Sequence, residues 1–229
     1  MPGLPSPNCG ERREGARPDL IVIHYTAMAT VEEARARLCD PAAEVSAHWL
    51  IAPDGAAEQL VDEAHRAWHA GAGSWGAVRD VNSRSIGIEL ANPGDRPFPE
   101  PQMTALERLL AAVMAHWSIP PERVIGHSDM APGRKGDPGP RFDWRRLALQ
   151  GLSVWPDPSV QRAAGPGGAA GFMDSARAFG YPDLPAATVL SAFRLRFRPW
   201  AAGPETAEDR AAIADLARRF PVDGGGARA

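Results

Sequence analysis

The chain has 229 residues, 44% of them hydrophobic, with a formal net charge of −3. That length suits one large domain, or one domain with a small companion. Charges of both signs are scattered and no apolar run reaches the roughly 18 residues of a membrane span, which argues against a nucleic-acid surface, an anionic-membrane surface or a membrane span.

After a polar arm ending at Pro18-Asp19, Leu20–Tyr25 is a short, largely β-branched run. It predicts a buried strand with polar residues at its C-terminal end. Thr30 is placed to cap a helix reaching about Leu38. Val45–Ile51 and Ala57–Val61 predict strands joined by the turn Pro53-Asp54-Gly55, a hairpin. Ser85–Leu90 predicts a further strand. Pro101–Trp117 predicts an amphipathic helix, with Met103, Leu106, Leu110 and Val113 in helical phase. Val124–Gly126 predicts a short strand, and Asp143–Leu149 a helix capped by Asp143. Residues 156–171 then turn Gly- and Pro-rich, a linker composition. Helical stretches follow near 172–179, 185–197 and 206–220, enough for a small three-helix bundle. The tail from Val222 reads as disordered.

His24 stands at the exit of the first strand, His127 just after Val124–Gly126, and Asp137 ten residues further along the same loop. Two histidines and one carboxylate leave a fourth tetrahedral position open, the pattern of a catalytic zinc site, whereas a structural site takes four protein ligands. Either histidine alone reads more readily as a satisfied core residue; their occurrence together with Asp137 reverses that and favours the metal. Glu89 interrupts the apolar strand, where a carboxylate is costly unless it is paired or faces a cleft. It reads as the base that takes a proton from the attacking water and passes it to the leaving amine, or else as the partner of an arginine. Gly87, on the same face, reads as room for a substrate. Lys135 is the only lysine among 25 basic residues. A compact ammonium at that point suits the negative charge that grows on a carbonyl oxygen under attack. Trp68, His69, Tyr25 and Asn92 are candidate substrate-binding residues, and Trp75 a candidate cleft wall. His48 reads as structural. Cys9 and Cys39 read as free thiols.

The segments His24-Tyr25-Thr26, Val45-Ser46-Ala47-His48, Ala67-Trp68-His69-Ala70-Gly71, Ser85-Ile86-Gly87-Ile88-Glu89, Gly126-His127-Ser128-Asp129 and Lys135-Gly136-Asp137-Pro138-Gly139 resemble those of the zinc-dependent N-acetylmuramoyl-L-alanine amidases, in the same order. The AmpD/AmiD branch, related to the peptidoglycan recognition proteins, is the nearest resemblance, and it runs from about Asn8 to Trp155. It implies an α/β (α+β) fold: a mixed central β-sheet flanked by helices, followed here by the small C-terminal bundle. It also implies one zinc ion per chain on His24, His127 and Asp137, with Glu89 and Lys135 catalytic. The reaction implied is hydrolysis of the amide between the lactyl group of N-acetylmuramic acid and L-alanine. Peptidoglycan fragments (muropeptides) are the implied partners, with intact peptidoglycan as a further candidate, in peptidoglycan turnover and recycling.

The domain plan expected is a catalytic unit over 1–157, a linker over 158–171, and a helical unit over 172–222. The last is similar to the peptidoglycan-binding domain that follows the catalytic domain in the AmiD branch, through Phe179-Gly180-Tyr181 and Phe193–Trp200. Glu44 and Asp80 stand where recycling members of the family carry arginines for the acidic stem peptide, so a broader peptide preference is expected. Residues 1–20 lack an apolar core behind basic residues, which makes the cytoplasm the expected compartment, or the periplasm for a trimmed mature form. A non-catalytic muropeptide-recognition protein on the same scaffold is the alternative; such proteins lose a metal ligand, and this chain keeps all three.

Overall fold

The computed structural model describes residues 5–159 and 171–222. Its strands are β1 (Cys9–Gly10), β2 (Leu20–Tyr25), β3 (Trp49–Ile51), β4 (Ala57–Gln59), β5 (Arg66–Ala67), β6 (Ser85–Leu90) and β7 (Val124–Gly126). Its helices are α1 (Val31–Cys39), α2 (Val81–Arg84), α3 (Glu100–Trp117), α4 (His127–Met130), α5 (Trp144–Leu149), α6 (Phe172–Phe179), α7 (Ala186–Phe197) and α8 (Ala207–Arg219). The linker expected over 158–171 falls largely outside the described residues, as does the tail beyond Val222.

Five strands form one mixed sheet in the order β4-β3-β6-β2-β7, and β1 pairs with β5 in a separate ribbon. β3, β6, β2 and β7 run parallel, while β4 is antiparallel to β3. The strand expected over 45–51 contracts to Trp49–Ile51, because the Ser46 N–H bonds the Trp68 carbonyl instead of a sheet neighbour. Local signals hold at the helix starts: Thr30 forms a capping box with Glu33, and Asp143 accepts the Arg146 N–H.

Register decides which side chains share a face. Leu20, Val22 and His24 align with Ser85, Gly87 and Glu89. Ile21, Ile23, Ile86 and Ile88 point the other way and pack under Met103, Leu106, Leu110 and Val113 of α3. Parallel strands finish along one edge, so β2, β6 and β7 deliver His24, Glu89 and His127 side by side at their C-terminal ends, where ligands of α/β sheets bind.

The opposite face is covered by the C-terminal helices. Leu20, Val22 and Ile125 belong to one apolar cluster with Trp75, Met130, Phe179, Phe193, Phe197 and Leu216. Gly180 closes α6 with φ of 136°, and a Cβ there would stand 2.4 Å from the Trp75 ring. Trp75 is therefore a core residue packed edge-on against Phe179 and Tyr181, not the cleft wall expected from sequence. No helix among the described residues is long and apolar enough to cross a membrane.

Candidate metal centre and active-site cleft

Three ligand atoms converge at the strand ends. His24 Nδ1 lies 2.9 Å from His127 Nδ1 and 2.9 Å from Asp137 Oδ2, and His127 Nδ1 lies 3.0 Å from the same oxygen. All three residues are buried.

The protons on this set follow from its outer partners. Ser85 Oγ donates to the Val81 carbonyl, so it accepts from His69 Nε2 at 3.1 Å. His69 Nδ1 is then a bare acceptor and takes the proton of His24 Nε2 at 3.0 Å. His127 Nε2 donates to the Ala70 carbonyl at 2.9 Å. With both imidazoles neutral, both Nδ1 atoms present lone pairs towards the Asp137 carboxylate. Burial, followed by the neighbouring His127, pushes His24 down to about 4, and burial pushes His69 well below the ordinary histidine range. Burial alone would raise Asp137, but its contacts with His127 and His24 outweigh it and hold the carboxylate well below the usual range. Three acceptors at these distances have no proton to share among them, so the donor set fits a divalent cation. Two nitrogens and one oxygen suit zinc.

Beside this set lies a cleft of about 420 Å³, lined by the three ligands, Tyr25, Trp68, His69, Glu89, Arg37, Arg134 and Lys135 among others. Glu89 Oε2 is buried with no hydrogen-bond partner among the described residues. Burial, then the charge of Asp137, raises Glu89 to about 8, while Lys135 pulls it down. Lys135 is exposed at the cleft rim. Arg134 donates to the carbonyls of Ala70 and Ala72, which ties the metal loop to the Trp68–Gly71 segment.

The structure brings Tyr25, Trp68 and His69 to the cleft but not Asn92. The Asn92 side chain is buried in its own loop, where Oδ1 accepts from Gly94 N at 2.7 Å and Nδ2 faces the carbonyls of Arg96 and Pro97. His69 holds His24, a candidate metal ligand, from behind as well as lining the cleft. Gly87 does not leave room for a substrate, because the His69 ring fills that space, and a Cβ on Gly87 would stand 2.4 Å from it. His48 is structural as expected: its Nδ1 accepts the Gly87 N–H, its Nε2 faces the His65 carbonyl, and burial pushes it down to about 3.

Sequence reading missed two residues. The buried Arg12 guanidinium donates to the carbonyls of Glu63, Asn82, Ser83 and Ser85, and burial lowers it to about 10. Asn82 Oδ1 accepts from His69 N and Ala70 N at 3.1 and 2.8 Å. The position of Asn82 just ahead of the Ser85–Glu89 strand was the only signal. Of the two departures from the family, Asp80 is engaged with Arg66 and Arg13, and Glu44 is exposed.

Comparison with known proteins agrees with this geometry. The family model for N-acetylmuramoyl-L-alanine amidase matches residues 14–140. N-acetylmuramoyl-L-alanine amidase AmiD of Escherichia coli (strain K12) is 37% identical over 227 residues, covering 86% of this chain and 80% of that protein. The 1,6-anhydro-N-acetylmuramyl-L-alanine amidase AmpD of Salmonella typhimurium (strain SL1344) is 33% identical over 168 residues, covering 66% of this chain and 90% of that protein. The solved complex of E. coli AmiD with the substrate anhydro-N-acetylmuramic acid-L-Ala-D-gamma-Glu-L-Lys superposes with a TM-score of 0.81 at 33% identity, covering 92% of this chain and 93% of that one. Sequence match, fold and the convergence of His24, His127 and Asp137 at the sheet edge together establish that this chain belongs to the N-acetylmuramoyl-L-alanine amidase family.

Proposed function

We propose that this chain hydrolyses the amide between the lactyl group of N-acetylmuramic acid and L-alanine in muropeptides, using one zinc ion held by His24, His127 and Asp137. The observation that carries this reading is three unprotonated ligand atoms 2.9–3.0 Å apart, in one cleft with a buried carboxyl group and a rim ammonium. Bound zinc supplies Lewis acidity, which polarises a carbonyl and acidifies water. Glu89, raised to about 8 by burial and favoured in its ionised form by Lys135 and by a nearby bound cation, would as the carboxylate accept a proton from the attacking water and return it to the departing amine nitrogen. Lys135 faces the carbonyl oxygen as negative charge grows on it. Tyr25 and Trp68 offer flat walls to the sugar and peptide. Arg37, also in the cleft lining, offers a cation to an acidic stem peptide where Glu44 and Asp80 do not.

The helical segment 172–222 is proposed to act as a peptidoglycan-binding-like unit that extends the enzyme's reach to intact wall. The compartment is part of the same reading. A cytoplasmic enzyme meets released anhydro-muropeptides, and a wall-side enzyme meets sacculi.

Mass spectrometry of products from soluble anhydro-muropeptide and from sacculi, with and without chelator, tests these points. Free peptide released from the soluble substrate and abolished by chelation supports the recycling amidase. Release from sacculi as well supports a wall-competent enzyme. No release from either would leave a recognition protein and remove the catalytic roles of Glu89 and Lys135.

A further inference from the structure

The turn α4 carries more of the site than its length suggests. His127 is its first residue. The Ser128 N–H donates to the Asp137 carbonyl at 2.9 Å, so the second ligand on this loop hangs from the same turn. The Ala131 N–H donates to the His127 carbonyl, and Lys135 N to the Ala131 carbonyl, which chains the rim ammonium to it as well. A tilt of α4 would therefore shift two metal ligands and Lys135 together.

What holds α4 against the fold is the carboxylate of Asp129, fully buried. Its Oδ2 accepts the Gly126 N–H at 2.8 Å, which pins the backbone immediately before His127. The other two donors to Asp129 come from the C-terminal segment. Tyr181 Oη donates to Oδ1 at 2.7 Å, and Arg196 Nη1 donates to Oδ2 at 2.8 Å. Arg196 is itself buried, donates to the Val124 carbonyl and to Ser153 Oγ, and stacks over the Trp144 ring at 4.3 Å. Its reach to Val124 ties the same guanidinium to β7, the strand that leads into His127. A buried carboxylate accepting three donors keeps a fixed orientation, because losing any one leaves a desolvated oxygen short of a partner.

We infer that Tyr181 and Arg196 are positioning residues for the metal centre: acting through Asp129, the C-terminal helices set the orientation of α4 and so the affinity of the site for its metal. This rests on reading His24, His127 and Asp137 as the metal set. Nothing about a peptidoglycan-binding role for the helices requires such a link, and their core could have been sealed with apolar residues alone.

The experiment is a zinc competition titration against a chelator on the full chain, at a temperature where each variant is folded by circular dichroism. Tyr181→Phe and Asp129→Asn keep the shape of the residues they replace. Val189→Ala thins the same helical core without touching Asp129. Tyr181→Phe and Asp129→Asn are expected to raise the zinc dissociation constant several-fold, up to about the 10-fold lower end of what losing a direct partner of a metal ligand costs, because they act on the ligands through the α4 backbone. Their cobalt-substituted forms should show a shifted visible absorption band. Val189→Ala should lower the melting temperature and leave zinc affinity and the cobalt band unchanged. If Asp129→Asn does not fold, Tyr181→Phe decides alone. Unchanged zinc affinity in Tyr181→Phe, or an equal loss in Val189→Ala, overturns the inference. A wild-type chain that binds no zinc overturns instead the metal reading beneath it.

Discussion

His24 Nε2 lies 3.0 Å from His69 Nδ1, and that contact decides which nitrogen His24 turns towards Asp137. The donor chain runs from His24 through His69 to Ser85 and ends on the Val81 carbonyl, so a residue that lines the cleft also fixes the tautomer of a candidate metal ligand. Replacing His69 with Phe keeps a ring over Gly87 but removes both hydrogen bonds. The zinc dissociation constant should rise by roughly 10–100-fold. At saturating zinc, KM for a soluble muropeptide should change little. A large rise in KM with unaltered zinc binding would return His69 to a purely substrate-contacting role.

Gly87→Ala tests the same packing from the strand side. Its Cβ would stand 2.4–2.7 Å from three atoms of the His69 ring, and the ring is held in place by its bonds to His24 and Ser85. Overpacking of this kind costs about 1–3 kcal/mol. The expected result is a lower melting temperature together with weaker zinc binding, because the ring that must move is the one that orients His24. Calorimetry and the chelator titration read the two effects separately.

Glu89 supplies a pH test with a definite sign. Its folded-state value is raised to about 8 by burial and by the charge of Asp137, against an ordinary 4.5. Between those two values the folded state holds a proton that the unfolded state has released. This group's contribution to stability is therefore complete below about pH 4.5 and is lost as pH rises through about 8. With chelator present, the wild type should lose stability relative to Glu89→Gln across that window. Added zinc should move the window to lower pH, because a nearby cation favours the carboxylate. Glu89→Gln should bind zinc and lose turnover; retained turnover would remove Glu89 as the base. A flat difference in melting temperature between the two proteins would mean that Glu89 is ionised throughout.

Much of this arrangement was legible in the sequence because it sits at the ends of regular elements. A β-branched run ending in His24, another interrupted by Glu89, and a third running into His127 place three functional groups at strand exits. Parallel strands bring strand exits together. What was not legible depends on contacts distant in the chain. Trp75 reads as a cleft aromatic until Gly180 is seen to make space for it. Asn92 reads as a ligand-facing amide, yet its own loop consumes both ends of that amide. Gly87 reads as open space, and the ring that fills it comes from another segment. No local pattern singles out the roles of Arg12 and Arg196 in an arginine-rich chain, and only the fold shows what each guanidinium serves.

Lys135 tests the ammonium argument. Its position at the cleft rim, chained to α4 through Ala131, leaves it exposed and free of the metal set itself. Lys135→Ala should lower kcat by roughly 10²–10³-fold, the scale on which one stabilising donor for a developing oxyanion acts. Zinc affinity should change little, since Lys135 is not a ligand. Lys135→Arg keeps the charge but replaces a compact donor with a planar one, so only partial recovery is expected. Full activity in either variant, measured as kcat on soluble muropeptide, would leave the lysine without a catalytic part.

The ion pair between Arg196 and Asp129 predicts how the C-terminal segment behaves when it is cut away. Arg196 and Asp129 are both buried, and the helices that carry Arg196 cover Leu20, Val22 and Ile125 of the sheet. Deleting residues 171–229 would strand the Asp129 carboxylate with only its backbone donor and uncover that apolar face. Breaking a buried pair by removing one partner costs about 3–5 kcal/mol, a large share of the 5–15 kcal/mol that holds a domain folded. The truncated chain should therefore be insoluble or melt far below the full one, and should lose action on soluble muropeptides as well as on sacculi. Arg196→Met, which fills the space without the charge, should destabilise the full chain by a similar 3–5 kcal/mol in denaturant titration. The double variant Arg196→Met with Asp129→Leu should recover part of that loss, since neither charge is then left unpaired. A truncated chain that folds and cleaves soluble muropeptide at the full rate would show that the helices serve wall binding alone.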